Sequence, residues 1–283
     1  MASLREIKDR IGSVRTTLKI TSAMKLVASA KLRKAQSAIE SMLPYQKTLS
    51  DILTIAINDR KYVPAAAPAP AEDAPASKVA VVAIASNSSL CGGFNAIAIK
   101  TALEQISQVG DADVFAVGRK MSDKLRKSGY ESMGDYTRLS GSPSYADAKA
   151  LAEQLIEGYD SGRYSRVILV YNHFVSTSTY KTMVETYLPF SLPEAAGEES
   201  ENDCILEPGP REIVDKLLPQ VLGLKIYTVL LDSAAAEYAA RTIAMQTATD
   251  NAEDILGELT LEYNKGRQQK ITAEILDLLG GAQ

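Results

Sequence analysis

Apolar residues recur near the N-terminus at Leu4, Ile7, Ile11, Val14 and Leu18, then after a gap at Ala28, Leu32, Ala35, Ile39 and Met42. Alternating steps of three and four make a coiled-coil seam, so residues 7–36 read as one long helix that needs a long partner helix. The stretch contains no proline and a single glycine, Gly12, and is otherwise rich in good helix formers. Thr21 and Lys25 occupy two seam positions. Polar seam residues set register or meet something specific at a cost in stability. The pattern continues through Leu49, Ile52, Leu53 and Ile57, with a bend or break expected near Pro44, and stops by Tyr62 ahead of Pro64, Pro68, Pro70 and Pro75.

The texture changes twice more. Residues 63–77 form an Ala/Pro stretch whose composition predicts an extended linker. Beyond it, 78–85 (KVAVVAIA), 112–117 and 166–171 read as buried strands, 130–133 as a weaker strand and 182–188 as an edge strand, with helices over 94–109, 120–128 and 145–159. Strands alternating with helices predict a small α/β sheet domain over 78–193, of the kind that ordinarily binds a ligand at its strand C-termini. Five acidic residues and no basic one make 194–203 a solvated loop, within a connection spanning 194–209.

The last segment, 210–283, supplies the partner helix. Its seam reads Ile213, Leu217, Leu224, Tyr227, Leu231, Ala234, Tyr238, Met245, Ala248, Ala252, Ile255 and Leu259, with Gln220 and Arg241 as polar interruptions and Pro219 early enough to kink rather than end the helix. If the two helices run antiparallel with Ile57 near Ile213, facing residue numbers sum to about 270. Lys25 and Arg241 then fall at about one height and, unable to pair with each other, are expected to look outward to acids, Glu237 or a partner's carboxylates. At 1.5 Å per residue the second helix, over 211–279, is roughly 100 Å long against roughly 80 Å for the first. Its end should pass the N-terminus unpaired, carrying Ile271, Ile275, Leu276, Leu278 and Leu279. Such a tip needs an apolar surface from another molecule. The fold class is therefore α/β: a small Rossmann-like sheet domain inserted between two long terminal helices (1–62 and 210–283) that form an antiparallel coiled coil.

Charge sharpens this picture. The net charge of −4 conceals +7 over residues 1–35, where nine basic side chains stand against Glu6 and Asp9. A basic helix suits an acidic protein partner, nucleic acid or an anionic surface, or simply a solvated face. The first aromatic residue is Tyr45, so the helix offers no platform for base stacking. No apolar run approaches bilayer length, and the charged first ten residues do not resemble a signal peptide, which predicts a chain that stays on the cytosolic side.

Candidate chemistry is sparse. Cys91, Cys204 and His173, the one histidine, do not compose a zinc site or redox motif. Cys91 reads as a small buried residue, Cys204 as a loop residue and His173 as structural. The turn SNSSLCGGFN at 86–95, with Gly92 and Gly93 between a strand and a helix, has the position of a phosphate cradle. It is not GxGxxG and lacks the Lys-Ser/Thr of a P-loop, so a structural turn or protein contact is the stronger reading. Nothing is spaced as a nucleophile, base and orienting acid, and neither a metal nor a cofactor is expected.

Three segments carry a resemblance: IKDRIGSVRTTLKITSAMKLVASAKLRKAQ at 7–36, LCGGFN at 90–95, and RTIAMQTATDNA at 241–252 followed by LTLEYNKGRQQKIT at 259–272. In this order and on these elements they resemble the gamma subunits of F-type ATP synthases, end to end. The resemblance implies a central rotor shaft with no active site of its own. Its coiled coil stands inside a ring of three alpha and three beta subunits, its tip in an apolar bearing, and its foot rests on the epsilon subunit and the c-subunit ring. Contact with the membrane is then peripheral, through the complex, on the cytoplasmic face of a bacterial inner membrane. Rotation of the shaft couples ion flow to nucleotide binding and ATP release at the beta subunits. By the same resemblance Met24 and Lys25 meet an acidic loop of beta, Arg241 lies in a partner-contact segment, Arg267 and Gln268 hydrogen-bond a beta loop with Thr272 close by, and Cys91, Gly92 and Gly93 belong to a turn that faces beta. Asn87, Ser88 and Ser89 stand where the family commonly has Asp-Arg-Gly, and Gln246 where a Lys is common, so charged contacts at those places are not carried over. The alternatives are a nucleotide-binding α/β protein with helical arms and a free-standing coiled-coil scaffold.

Overall fold

A computed structural model describes residues 3–58, 78–190 and 206–280. The Ala/Pro stretch, the acidic loop and Cys204 lie outside them. Helix α1 spans Leu4–Asn58 and helix α6 Pro210–Gly280. Between them come β1 (Lys78–Ile84), α2 (Phe94–Val109), β2 (Ala112–Val117), α3 (Arg119–Lys127), α4 (Thr137–Gly141), α5 (Tyr145–Asp160), β3 (Tyr164–Ser176) and β4 (Thr179–Leu188). Pro44 lies within α1, which continues past it rather than breaking. The chain forms two compact units, one of Met1–Ala30 with Arg241–Gln283 and the other of Lys31–Ala240.

In the larger unit the strands lie in the order β2-β1-β3-β4, the first three parallel and β4 antiparallel to β3. The strand period sends Ala80, Val82 and Ile84 to one face of β1 and Val81, Ala83 and Ala85 to the other, both buried. Ala98, Ala102 and Ile106 of α2 and Met121 and Leu125 of α3 cover one face. On the other, α5 contributes Ala148, Leu151, Ala152 and Leu155, and α6 contributes Leu222, Ile226, Val229 and Leu230. Continuous apolar runs are what strands covered on both sides require. A Ser144 cap starts α5, its hydroxyl accepting the Asp147 N–H at 3.2 Å. Lower down, Leu49, Leu53 and Ala56 of α1 pack with Val214, Val221 and Leu224 of α6. The expected strand at 130–133 shrinks to one bridge, Val114 to Ser132, where the Ser132 hydroxyl accepts the Ala116 N–H.

At the N-terminal ends of the strands sits a densely charged knot. The Asp113 side chain, 9% exposed, accepts hydrogen bonds from Arg163 Nε (3.1 Å) and Nη2, Lys78 Nζ (3.2 Å) and the Tyr164 hydroxyl (3.2 Å). Burial works to raise the Asp113 pKa, but hydrogen bonds from Arg163 and Lys78 outweigh it and hold the carboxyl below its usual range. Burial and the neighbouring carboxylate push the Tyr164 hydroxyl up to about 12. A depressed carboxyl pKa contributes stability that is full above the unfolded-chain value and lost as pH falls through the folded one. Asp113→Asn is therefore expected to cost about 1–3 kcal/mol at neutral pH, with urea midpoints of wild type and variant converging as the pH drops below the carboxylate range. A constant gap down to that pH would contradict an ionised Asp113.

Candidate partner-contact surfaces

In the larger unit, the place where such a sheet ordinarily takes a ligand is filled by the chain itself. Cys91 and Phe94, both 1% exposed, pack with Phe174, Tyr180, Ala236 and Ala240, the last two from α6. Phe94 and Tyr180 meet edge to face at 5.9 Å, and burial, with Cys91 beside it, raises the Tyr180 pKa. Asn172, fully buried, donates to the Phe94 carbonyl (3.1 Å) and accepts from the Thr182 hydroxyl (2.6 Å).

The turn at 86–93 is held from within. The Ser86 N–H donates to Asn95 Oδ1 (3.0 Å), the Ser86 hydroxyl to the Ser88 carbonyl (2.6 Å), and Asn95 Nδ2 to Cys91 Sγ (3.2 Å). Asn87 links three loops: its Oδ1 accepts the Arg119 N–H and its Nδ2 donates to the Thr137 carbonyl, each at 2.9 Å. An aspartate there accepts but cannot donate, so this departure from the family's Asp has a structural use of its own. What the turn presents outward is Ser88, Ser89, Leu90, Gly92 and Gly93. Leu90 is 58% exposed at φ +67, a conformation that costs a leucine of order 1 kcal/mol. Cys91 is thus an anchor beneath the surface rather than part of it.

In the smaller unit, the seam between the ends of α1 and α6 is pinned by polar atoms. The Thr249 hydroxyl donates to the Thr21 hydroxyl (2.9 Å), which in turn donates to the Leu18 carbonyl (3.1 Å); both threonines are 8% exposed. Their numbers add to 270, as do those of Leu4 and Gly266, which lie in contact. The seam of α6 accordingly passes through Met245, Thr249, Ala252 and Leu256. The expected positions Ala248 and Ile255 are one residue out of phase, and Ile255 is 47% exposed. A pattern search restricted to apolar residues passes over Thr249. Arg241 shares the phase of Met245 and Thr249 and is buried, at 9% exposed, instead of looking outward as expected. Gln246 is half-buried and donates to Asp250.

Met24 and Lys25 are half-buried, while their neighbours Ile20 (54%), Leu26 (70%) and Val27 (58%) are exposed large apolar residues that the seam pattern does not single out. No basic side chain of α1 forms an ion pair among the described residues. Past Gly266, level with Leu4, residues 267–277 of α6 are all exposed, including Arg267, Gln268, Thr272, Ile271, Ile275 and Leu276. The Thr272 hydroxyl turns back to the Gln268 carbonyl at 2.9 Å. The side chains of Leu278 and Leu279 lie outside the described residues.

The predicted contact residues thus divide between the two units, with Cys91 and Arg241 buried beneath the surface. Cys91, Gly92 and Gly93 share one turn of the larger unit. Met24, Lys25, Arg241, Arg267, Gln268 and Thr272 lie along the helices of the smaller one.

Comparison with known proteins identifies the family and the fold. The family described as ATP synthase matches residues 3–283. The ATP synthase gamma chain of Phocaeicola vulgatus is 48% identical over 290 residues, and that of Bacteroides fragilis 46% identical over 291, each alignment covering 100% of this chain and 99% of the relative. The gamma chain of Pelotomaculum thermopropionicum is 39% identical over 286 residues, with the same coverage. Two solved structures share the fold. One is a chain of the Euglena gracilis mitochondrial ATP synthase OSCP/F1/c-ring structure, with TM-score 0.60, 18% identity and coverage of 99% of this chain and 93% of that one. The other is a chain of the Tetrahymena thermophila mitochondrial ATP synthase central stalk/c-ring structure, with TM-score 0.55, 23% identity and coverage of 81% and 99%.

Proposed function

Because this chain belongs to the ATP synthase gamma chain family, we propose that it is the turning shaft of such a complex and acts only through the subunits around it. The observation that carries the proposal is the end of α6, exposed on every described residue from 267 to 277 and bearing Ile271, Ile275 and Leu276. A helix tip of this kind is stable in water but gains from an apolar socket, which a ring of alpha and beta subunits supplies. The basic side chains of α1, none of them in an ion pair among the described residues, suit an acidic loop of beta at Met24 and Lys25. Exposed Arg267, Gln268 and Thr272 suit hydrogen bonding to a second beta loop, and the turn carrying Gly92 and Gly93, anchored by Cys91, suits a third contact with beta.

The shaft carries no catalytic group. Its sheet keeps an enzyme-like topology while its ligand crevice is packed with Phe94, Tyr180 and α6. The remaining partners are the epsilon subunit and the c-subunit ring at the foot. Among the described residues no helix is long and apolar enough to cross a membrane, in keeping with a peripheral position reached through the complex on the cytoplasmic face of a bacterial inner membrane. The physical basis of coupling is differential contact. An asymmetric shaft stabilises one beta conformation over another as it turns, and a contact difference of about 1–3 kcal/mol shifts an equilibrium by about 5–150-fold. A bead fixed to this chain in surface-held complexes of alpha, beta and this subunit should turn stepwise in one direction when ATP is added. A bead that stays still while ATP is hydrolysed at the normal rate would refute the shaft reading.

A further inference from the structure

In the larger unit, α6 is a wedge with two working faces. One, carrying Val221, Leu224, Ala235 and Ala239, meets α1 at Leu49, Leu53, Leu32 and Ala35. The other turns to the sheet domain with Leu222, Ile226, Val229 and Leu230, and further along with Ala236 and Ala240. The hydrophobic effect behind this second kind of packing is non-directional and does not by itself lock one position along or around a helix. Two polar fastenings on the same face do. Lys225 Nζ lies 2.8 Å from Glu185 Oε1 on β4, and the other oxygen of Glu185 accepts the Tyr171 hydroxyl of β3 at 3.1 Å. Seven residues on, hence two turns along the same face, Asp232 grips β3 with both oxygens. Oδ1 accepts the Phe174 N–H at 2.9 Å, and Oδ2 lies 2.6 Å from His173 Nδ1.

The place of the second grip matters. Pairing of β3 with β1 ends at Val170 and Ala83, so the hairpin beyond has no neighbour strand on that side. The Phe174 N–H, which a further strand would otherwise accept, goes to Asp232. The side chain is 16% exposed, and a half-buried carboxylate with two partners makes charge-assisted bonds. Both fastenings are directional bonds between the sheet domain and the helix face it rides on.

We propose that Asp232 and Lys225 form a clasp that locks the α/β domain to α6 against slip, so that torque entering at one is delivered to the other. The proposal rests on the shaft reading above and makes both side chains positioning residues for coupling. It is tested in the assembled complex in lipid vesicles, by the number of ions moved per ATP hydrolysed. Asp232→Ala should lower that ratio by about fivefold or more while hydrolysis stays within about twofold. Exchange of the Phe174 amide should rise about tenfold, the loss of one charge-assisted bond. Asp232→Asn, which still accepts the Phe174 N–H, should recover most of the ratio. Lys225→Glu alone should lower the ratio, and adding Glu185→Lys, which restores the ion pair reversed, should raise it again. The charge-swap pair decides the matter by itself if Asp232→Ala does not assemble. A ratio unchanged in the assembled variants, or lowered only in step with thermal stability and not recovered by Asp232→Asn or the swap, would overturn the clasp while leaving the shaft intact. A wild-type complex that moves no ions at all would overturn the shaft reading itself.

Discussion

Alanine at both Arg267 and Gln268 should leave the isolated chain as helical and as stable as before, yet lower coupled ATPase of the assembled complex by about tenfold or more. Both side chains are exposed on α6 beyond the point where α1 ends beside it. Exposed substitutions of this kind shift stability by about 0.5 kcal/mol or less, and alanine is the best helix former. The hydroxyl of Thr272 keeps its bond to the backbone carbonyl of residue 268 whatever side chain stands there. The whole effect must then come from what these groups touch in a partner, where one hydrogen bond to a charged group is worth about 1.5–3 kcal/mol. Circular dichroism and melting of the isolated variant, set beside activity of the complex, separate the two cases. A large loss of melting temperature in the isolated chain would make these residues internal supports instead.

Gly118→Ala should be the most damaging small substitution in the sheet domain, costing about 4 kcal/mol or more. Gly118 joins β2 to α3 at φ +95, and a Cβ there would lie 2.1 Å from the Ala85 carbonyl oxygen and 2.9 Å from its carbon. Both are backbone atoms fixed by neighbouring bonds, with the Ala85 N–H donating to the Val117 carbonyl and the Lys120 N–H to that of Ser86. They cannot yield without pulling apart the ends of β1 and β2. Gly12→Ala is the matched control, since a Cβ there meets nothing within 4 Å and a helix interior gains up to about 1 kcal/mol from the exchange. Urea unfolding should therefore move in opposite directions for the two variants. A Gly118→Ala protein as stable as wild type would mean that the crossing of these two turns is far softer than its geometry implies.

The long helices were legible because their period is repeated many times, and the register near 270 followed from closing them on each other. Pro44 was the exception. A proline inside a helix removes one hydrogen bond and crowds the preceding turn, but Leu49, Leu53 and Ala56 just beyond it bury against α6, and that packing outweighs the local preference. The buried strands were visible as apolar runs. The reach of β3 to Ser176 and of β4 back to Thr179 was not, since His173, Ser176, Thr179 and Lys181 look like loop residues until Asp232 provides a partner for the end of β3. Five-residue α4 has too few turns to show a period.

At the contact surfaces, sequence identified which residues stand out but not how each is used. Thr21 was recognisable as a mark on the seam, whereas Thr249 was hidden because its role depends on a hydroxyl 228 residues away. Arg241 was visible as an interruption, but its burial depends on helical phase, which the misplaced Ala248 and Ile255 obscured. The grip of Asp232 on β3 joins positions 58 and 59 residues apart, and no local pattern encodes a contact of that range.

The central claim is that this chain works as the shaft of a larger machine and not alone. Its most direct test is recovery of the tagged chain from its native host, with mass spectrometry of what accompanies it and ATPase assays of the complex and of the isolated chain. The account predicts alpha, beta and epsilon subunits in the recovered complex, alpha and beta in equal amounts and in excess over this chain, with ATPase activity present there and absent from the chain by itself. Recovery of the chain alone or with unrelated proteins, or ATP hydrolysis by the isolated chain, would contradict it.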